Sequence, residues 1–413
     1  MPIFTEKAKN IKIPELVPVE QVFDTTHIDN IEEAVLQQIK KEEINKNIIK
    51  GQKIAIAVGS RGISAIDKIV KATIDFLKFQ DTYPFIVPAM GSHGGGTAAG
   101  QLEILESYGI SEKTMGVPVV TGQEVIQIGT TKSGVPVVID KQAYEADMII
   151  VINRIKCHTD FSGKYESGLC KMLAIGLGKH EGCTCYHKEG FDAFPDILPE
   201  IASIVIENVN VGFGLAIIEN AYGKIYSIDA LNASDILKKE PELLLRAKQL
   251  KPSIMIRDID LLIVEEIGKD ISGGGIDPKI TGILGYKEKW RLKNFVGPNI
   301  KNVFVLGLSR STHGNANGLG IADFTLRSIY EQIDFDTTYS NALAARALDG
   351  VKIPMMVDSY EEGIMAAFIM TGYDDISQLK IVKIANTLKL DRIEVTENLL
   401  PEILKNKKMK ILE

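Results

Sequence analysis

Cysteine is scarce in this chain: 413 residues contain four. So few, with no C-x-x-C pair among them, argue against a disulfide framework and against a closed structural zinc site, and fit thiols kept in a reducing compartment. Long hydrophobic runs are missing as well. No uninterrupted apolar span reaches the roughly 20 residues that cross a bilayer, and the opening MPIFTEKAKNIKIPELV sets charges and a proline where an export signal needs an apolar stretch. A cytoplasmic protein is expected. Nor is there an excess of charge of one sign. Lys plus Arg number 47 against 54 Asp plus Glu, a net of −7 with both signs interspersed, which excludes the basic footprint of a nucleic-acid or membrane-surface binder. The late lysines Lys405, Lys407, Lys408 and Lys410 read as a solvated terminus.

What is present is ordinary globular composition, 45% hydrophobic and 24% charged, in a chain longer than one core usually organises. Two domains are expected, 1–275 and 276–413, with the glycine- and lysine-rich stretch 268–300 around their boundary. KIAIAV (53–58) reads as a buried strand, and Ser64 is placed to cap a helix with apolar positions at Ile66, Ile69, Val70, Ile74 and Leu77. PFIVPAM (84–90) reads as the next strand. This β-loop-α-β succession marks a parallel sheet. Further strands are expected at 117–121, 124–129, 135–139, 148–153, 213–219 and 259–266. A second α/β run follows, with strands at 302–308 and near 354–357 and a final one near 379–384. The fold class is therefore α/β, as two Rossmann-like α/β domains with an active site between them.

The strand-end loops hold the chemistry. GSHGGGTAAGQ (91–101) contains the glycine spacing of a dinucleotide loop, but the next strand ends in Thr121 rather than the acidic residue that a ribose requires. His93 in that loop is placed for acid–base work. The segment 157–187 holds all four cysteines and three of the six histidines, His158, His180 and His187. Thiolates and imidazoles so concentrated suggest a transition metal, although the plain reading of most of the cysteines is that they are small buried apolar residues. Lys171 lies in the apolar run GLCKMLAIGLG, where an ammonium is costly unless it snorkels to solvent, is paired, or is chemically used. Two later loops, 267–282 with Lys279 and 309–324 with His313, are ordinary surface loops or strand-end substrate contacts.

The order of these motifs resembles the nickel-dependent lactate racemase family, over most of the chain and most densely over 53–190. Arg61 follows the first strand, His93 lies in the GSHG loop, His158 opens HTDFSG, and Lys171 precedes His187 by 16 positions. The resemblance implies a nickel ion and pyridinium-3,5-bisthiocarboxylic acid mononucleotide, the nickel-pincer nucleotide, joined covalently to Lys171 and ligated by His187. It implies His93 and His158 as paired acid–base residues, Arg61 as the fork on the substrate carboxylate, and Ser60, Gly94 and Gly95 as cofactor contacts, with Lys279 and His313 toward the substrate. The activity it implies is racemisation or epimerisation of a small-molecule 2-hydroxy acid, by moving the C2 hydrogen as hydride while a histidine takes the hydroxyl proton. Pincer-synthesis enzymes would be partners. The stretch between His158 and Lys171 is longer than in the lactate enzymes, and its Lys164, Tyr165 and Glu166 are placed to meet a larger hydroxylated substrate. The rival reading of the same residues is a zinc or other metal hydrolase built on His158, His187 and a cysteine, with His93 as general base.

Overall fold

The computed structural model describes residues 12–60, 62–159, 161–190, 192–284, 295–345 and 347–412. The chain forms two α/β units, one of residues 24–251 and the other of residues from 252 onward together with the N-terminal strand.

In the first unit five strands lie side by side in the order Tyr83–Pro88, Lys53–Val58, Met148–Arg154, Val211–Glu219, Ile225–Asn232. All neighbours are parallel except the last pair. The strands alternate between two cores. Ile54, Ile56 and Val58 pack on one face with Ile150 and Ile152, while Ala55 and Ala57 pack on the other with Ile149 and Val151. Burial on both faces is why KIAIAV and MIIVIN read as unbroken apolar runs, and each fully buried Ile or Val contributes about 1.5–3 kcal/mol. Taken in chain order the strands run 2-1-3-4-5, so the connection reverses between Lys53–Val58 and Met148–Arg154. Loops at the carboxyl ends of the strands flanking such a reversal open outward and leave a crevice. Those loops carry Ser60 and His158, and the neighbouring strand Tyr83–Pro88 leads to His93.

Several expectations need correction. Residues 117–121 form a single bridge, Val119 with Ile86, while Val125–Thr130 and Pro136–Asp140 make a separate antiparallel hairpin. The helix Ile66–Phe79 starts after Ala65, which has a left-handed backbone and gives no side-chain cap; the Ser64 N–H instead donates to Glu219 at 2.8 Å.

The second unit is built on an eight-stranded sheet in the order Met355–Val357, Phe324–Leu326, Asn299–Val305, Asp258–Val264, Ile381–Ile384, Arg392–Thr396, Leu16–Gln21, Met409–Ile411. This moves the boundary from 275 to 251 and makes the unit discontinuous. The reason is hydrogen bonding. Asp258–Val264 pairs with Asn299–Val305 and Ile381–Ile384, and Leu16–Gln21 pairs with Arg392–Thr396 and Met409–Ile411. Two strands therefore follow the one near 379–384 expected to be last. Gln21, fully buried, fastens both ends of the excursion: its amide donates to Ser253 O at 3.0 Å and its carbonyl accepts from Met255 N at 2.7 Å.

Candidate active site

Three loops of the first unit converge on the segment Gly168–His187. That segment is two helical pieces rather than one helix. Leu169–Lys171 runs into a wider π turn, Met172–Gly176, and Lys179, with φ of 54°, breaks the chain before the helix Lys179–His187. A π turn frees carbonyls from the helical ladder. Here they are taken by neighbours: Gly176 O accepts from Gly91 N at 3.2 Å and Leu177 O from Asp140 N at 2.7 Å. Lys171 and His187 thus sit on separate pieces, and the Lys171 charge acts on the His187 imidazole.

His187 donates from Nδ1 to the Cys183 carbonyl at 2.6 Å, with the Cys183 Sγ at 3.5 Å from the same nitrogen. Burial disfavours the imidazolium, yet the bonds to Cys183 prevail and its pKa lies above the ordinary histidine value, against the opposing Lys171 charge. Cys183 behaves reciprocally. Burial opposes its thiolate, and the His187 and Ser92 hydrogen bonds prevail to lower it. Cys183 Sγ also donates to Ser92 Oγ at 3.4 Å, which joins this helix to the loop bearing His93. Cys170 keeps the plain role: fully buried, its thiol is pushed well above the usual range by burial and by Glu240.

His93 is half-buried, and its Nδ1 shares a short hydrogen bond with the Ser60 hydroxyl. The structure therefore places Ser60 on the histidine. Two expected contacts lie in the triple-glycine turn that follows, Gly94 and Gly95, with φ of 63° and 66°. They differ in surroundings. A Cβ on Gly94 would lie 2.5 Å from the Gly100 carbonyl carbon, so Gly94 serves a close crossing, whereas Gly95 faces open space.

His158 stacks on Phe161 with ring centroids 4.3 Å apart. Phe161 meets Phe194 edge-on at 5.4 Å, and Phe194 meets His187 at 5.0 Å. An aromatic bridge thus connects the two imidazoles. The main chain of the His158 loop is tied down by Glu166, which is 1% exposed. Its carboxylate accepts from His158 N at 2.8 Å and Gly163 N at 3.3 Å and pairs with Lys248 at 2.7 Å. Tyr165 is buried and its hydroxyl donates to Leu237 O at 2.5 Å. Glu166 and Tyr165 are thus engaged within the fold, not offered to a larger substrate; Lys164 is exposed, over the Tyr165 ring.

The helix Ala233–Leu250 supplies Leu237, Lys248 and a third brace, Glu240. The Glu240 carboxylate is buried against the start of the Lys171 turn, accepting from Cys170 N at 2.8 Å. Burial raises its pKa to about 7, although the Cys170 and Leu169 amides pull the other way. A Cβ on Gly168 would collide with Glu240 Oε1, which leaves room there for glycine alone.

The structure brings together Ser60, His93, Gly94, Gly95, His158, Lys171 and His187 in one unit. Arg61 lies outside the described residues. Lys279 and His313 belong to the second unit. Lys279 is buried in the short helix Pro278–Thr281, and His313 is exposed with φ of 49° at a turn following Asn299–Val305. Among the described residues no three His, Cys, Asp or Glu side chains are grouped to hold a metal. Among them also, no helix is long and apolar enough to cross a membrane.

Residues 6–193 match the lactate racemase N-terminal domain family. The N-terminal part of the chain, somewhat under half of it, thus carries a lactate racemase N-terminal domain. This domain marks the protein as an isomerase, of the racemase or epimerase type. By fold it is similar to the lactate racemase apoprotein from Thermoanaerobacterium thermosaccharolyticum, with a TM-score of 0.55 and 12% identity over 91% of this chain and 99% of that one. It is also similar to a Thermotoga maritima protein solved by the Northeast Structural Genomics Consortium, with a TM-score of 0.51 and 14% identity over 87% and 96%. At these identities the likeness is one of fold. No curated protein sequence matches.

Sequence reasoning missed Glu166, Lys179, Gln101 and Glu240 as structural parts of this site. Lys179 carried a signal, a second lysine directly after the apolar run 168–178; Glu240 and Lys248 lie in the helix Ala233–Leu250, which is rich in charged residues throughout.

Proposed function

We propose that this protein, with its lactate racemase N-terminal domain, is a nickel-pincer-dependent racemase or epimerase of a 2-hydroxy acid. The observation that carries the reading is the placement of Lys171 and His187 on the two pieces of one broken helix, with His187 Nδ1 committed to the Cys183 carbonyl. A primary amine for covalent attachment and one imidazole oriented by its other nitrogen are the donors such a group asks of a protein. Nδ1 being engaged makes Nε2 the ligating atom. The open side of the glycine turn at Gly95 suits a phosphate, since backbone amides there are not screened by a side chain. The residues fit the group.

When bound, the pincer supplies the hydride acceptor that amino-acid side chains lack. The chain does the rest. His93, held by Ser60, and His158, stacked on Phe161, take and return the substrate hydroxyl proton, one for each configuration. Arg61 binds the carboxylate through its planar fork, and Lys279 and His313 are proposed as further substrate contacts. The Phe161 and Phe194 rings exclude water beside His158 and His187, which strengthens each polar contact there. Pincer-synthesis enzymes are the partners this reading requires.

The test is intact mass spectrometry with metal analysis on protein co-produced with those enzymes, comparing wild type with Lys171→Ala. Expected are an adduct of mononucleotide size and about one nickel per chain, both absent from the variant, together with interconversion of 2-hydroxy acid enantiomers by the wild type. Zinc without an adduct would overturn the proposal.

A further inference from the structure

Two charged groups of the first unit are almost wholly enclosed and have no part in the chemistry above. Lys179 is 0% exposed and adopts a left-handed backbone that lysine rarely takes. Its ammonium lies 2.9 Å from an Asp140 carboxylate oxygen and donates to Pro88 O at 2.9 Å. It also approaches Gln101 Oε1 at 3.5 Å. Gln101, itself fully buried, turns its amide to the His93 loop, donating to Gly91 O at 3.0 Å and His93 O at 3.4 Å. The second group is Glu166, which holds His158 N and Gly163 N while paired to Lys248. Replacing a buried ion pair by apolar residues is often neutral for stability, so such a pair is better explained by the geometry it specifies.

We propose that His93 and His158 are held by two separate ion-pair anchors acting through the main chain: Asp140 and Lys179, by way of Gln101, under His93, and Glu166 with Lys248 under His158. These five are positioning residues. The anchors use different elements. Asp140 ends the hairpin strand Pro136–Asp140 and Lys179 begins the helix that reaches His187, whereas Glu166 lies in the His158 loop and Lys248 near the end of the helix Ala233–Leu250. Two proton-transfer groups serving opposite configurations of one carbon must each be aimed independently. Separate anchors permit that.

The inference rests on the acid–base reading of the two histidines only for its consequence in turnover, so the test is in two parts. The first uses the apoprotein with ring-labelled histidine; six histidines allow assignment by single substitutions, and ring ¹⁵N shifts at fixed pH report tautomer and hydrogen bonding. Glu166→Gln should shift the His158 ring and leave His93 in place. Gln101→Met, which leaves the Asp140–Lys179 pair intact, and the double variant Asp140→Asn/Lys179→Met should do the reverse. Should the double variant fail to fold, Gln101→Met decides alone. Shifts of both rings together, or of neither, overturn the proposal. The second part measures cofactor-loaded enzyme, where kcat should fall about 10- to 100-fold, the effect of a misaimed catalytic group, with KM changed far less. Selective ring shifts with turnover intact would leave the anchors standing and remove the acid–base role of the histidines.

Discussion

The two helical pieces between Gly168 and His187 each carry a lysine, and the two lysines have opposite fates. Lys171 is half-buried, on the piece that enters the π turn, while Lys179, eight positions on, is enclosed completely and neutralised by Asp140. An apolar run raises the same question about any lysine within it. The answer lies in the partner: an enclosed ammonium with a carboxylate at 2.9 Å is a structural charge, and the less buried one, whose charge is felt by the His187 imidazole, is the candidate for chemistry. Burial by itself points to the wrong residue.

The largest expected effect would break this comparison outright. Lys179→Met leaves Asp140 buried and unpaired and should cost about 3–5 kcal/mol, read from urea unfolding, whereas Lys171→Met should cost less than about 1 kcal/mol. Equal losses would mean that the two lysines are structurally equivalent. The next sharpens it through pH. The folded state holds the Glu240 proton to about pH 7 where the ordinary carboxyl releases it near 4.5. Between those values the folded chain therefore binds more protons than the unfolded one, and stability falls as pH rises through the window, by on the order of 3 kcal/mol from this group. Glu240→Gln should flatten that part of the profile; an unchanged slope would show that the carboxyl titrates normally. Smaller again is Gly168→Ala, where the added Cβ meets Glu240 and the Lys171 turn must shift. A loss of about 1–3 kcal/mol is expected, measured by thermal melting, and Glu240→Ala in the same chain should recover part of it. Least affected is Lys71→Ala, which removes an exposed pair with Asp75 one helical turn away and should cost about 0.3–0.5 kcal/mol.

The longer parallel strands of both units were legible because strands covered on both faces need unbroken apolar residues, as in KIAIAV and IDLLIV; the three-residue parallel strand Phe324–Leu326 was too short to read. The strand Leu16–Gln21 was not. Its sequence LVPVEQ mixes a proline with charge, and its partners lie at the far end of the chain. The same gap explains the misplaced boundary: the glycine-rich stretch after Val264 resembles a linker, but it begins with strand-end loops packed on one another, so closely that a Cβ on Gly275 would overlap Asn317 O. At the site, the histidines and the lysine proposed for cofactor attachment were visible because their chemistry is rare in the sequence. Their supports were not, since Glu166, Gln101 and Glu240 act on backbone amides and carbonyls, which leave no residue-type pattern to read.

The strand Leu16–Gln21 also sets a problem of timing. Gln21 donates to Leu390 O, 369 positions later, at 2.6 Å, so its place in the sheet cannot be completed until nearly the whole chain has been made. At about 5–20 residues per second of synthesis the wait is on the order of twenty to seventy seconds. Residues 24–251 can finish their own core in that interval, while the first strand remains an unsatisfied edge open to other chains. Proline at position 18 and glutamate at position 20 are residues that make such an edge a poor template, keeping it out of aggregates until its late partner arrives.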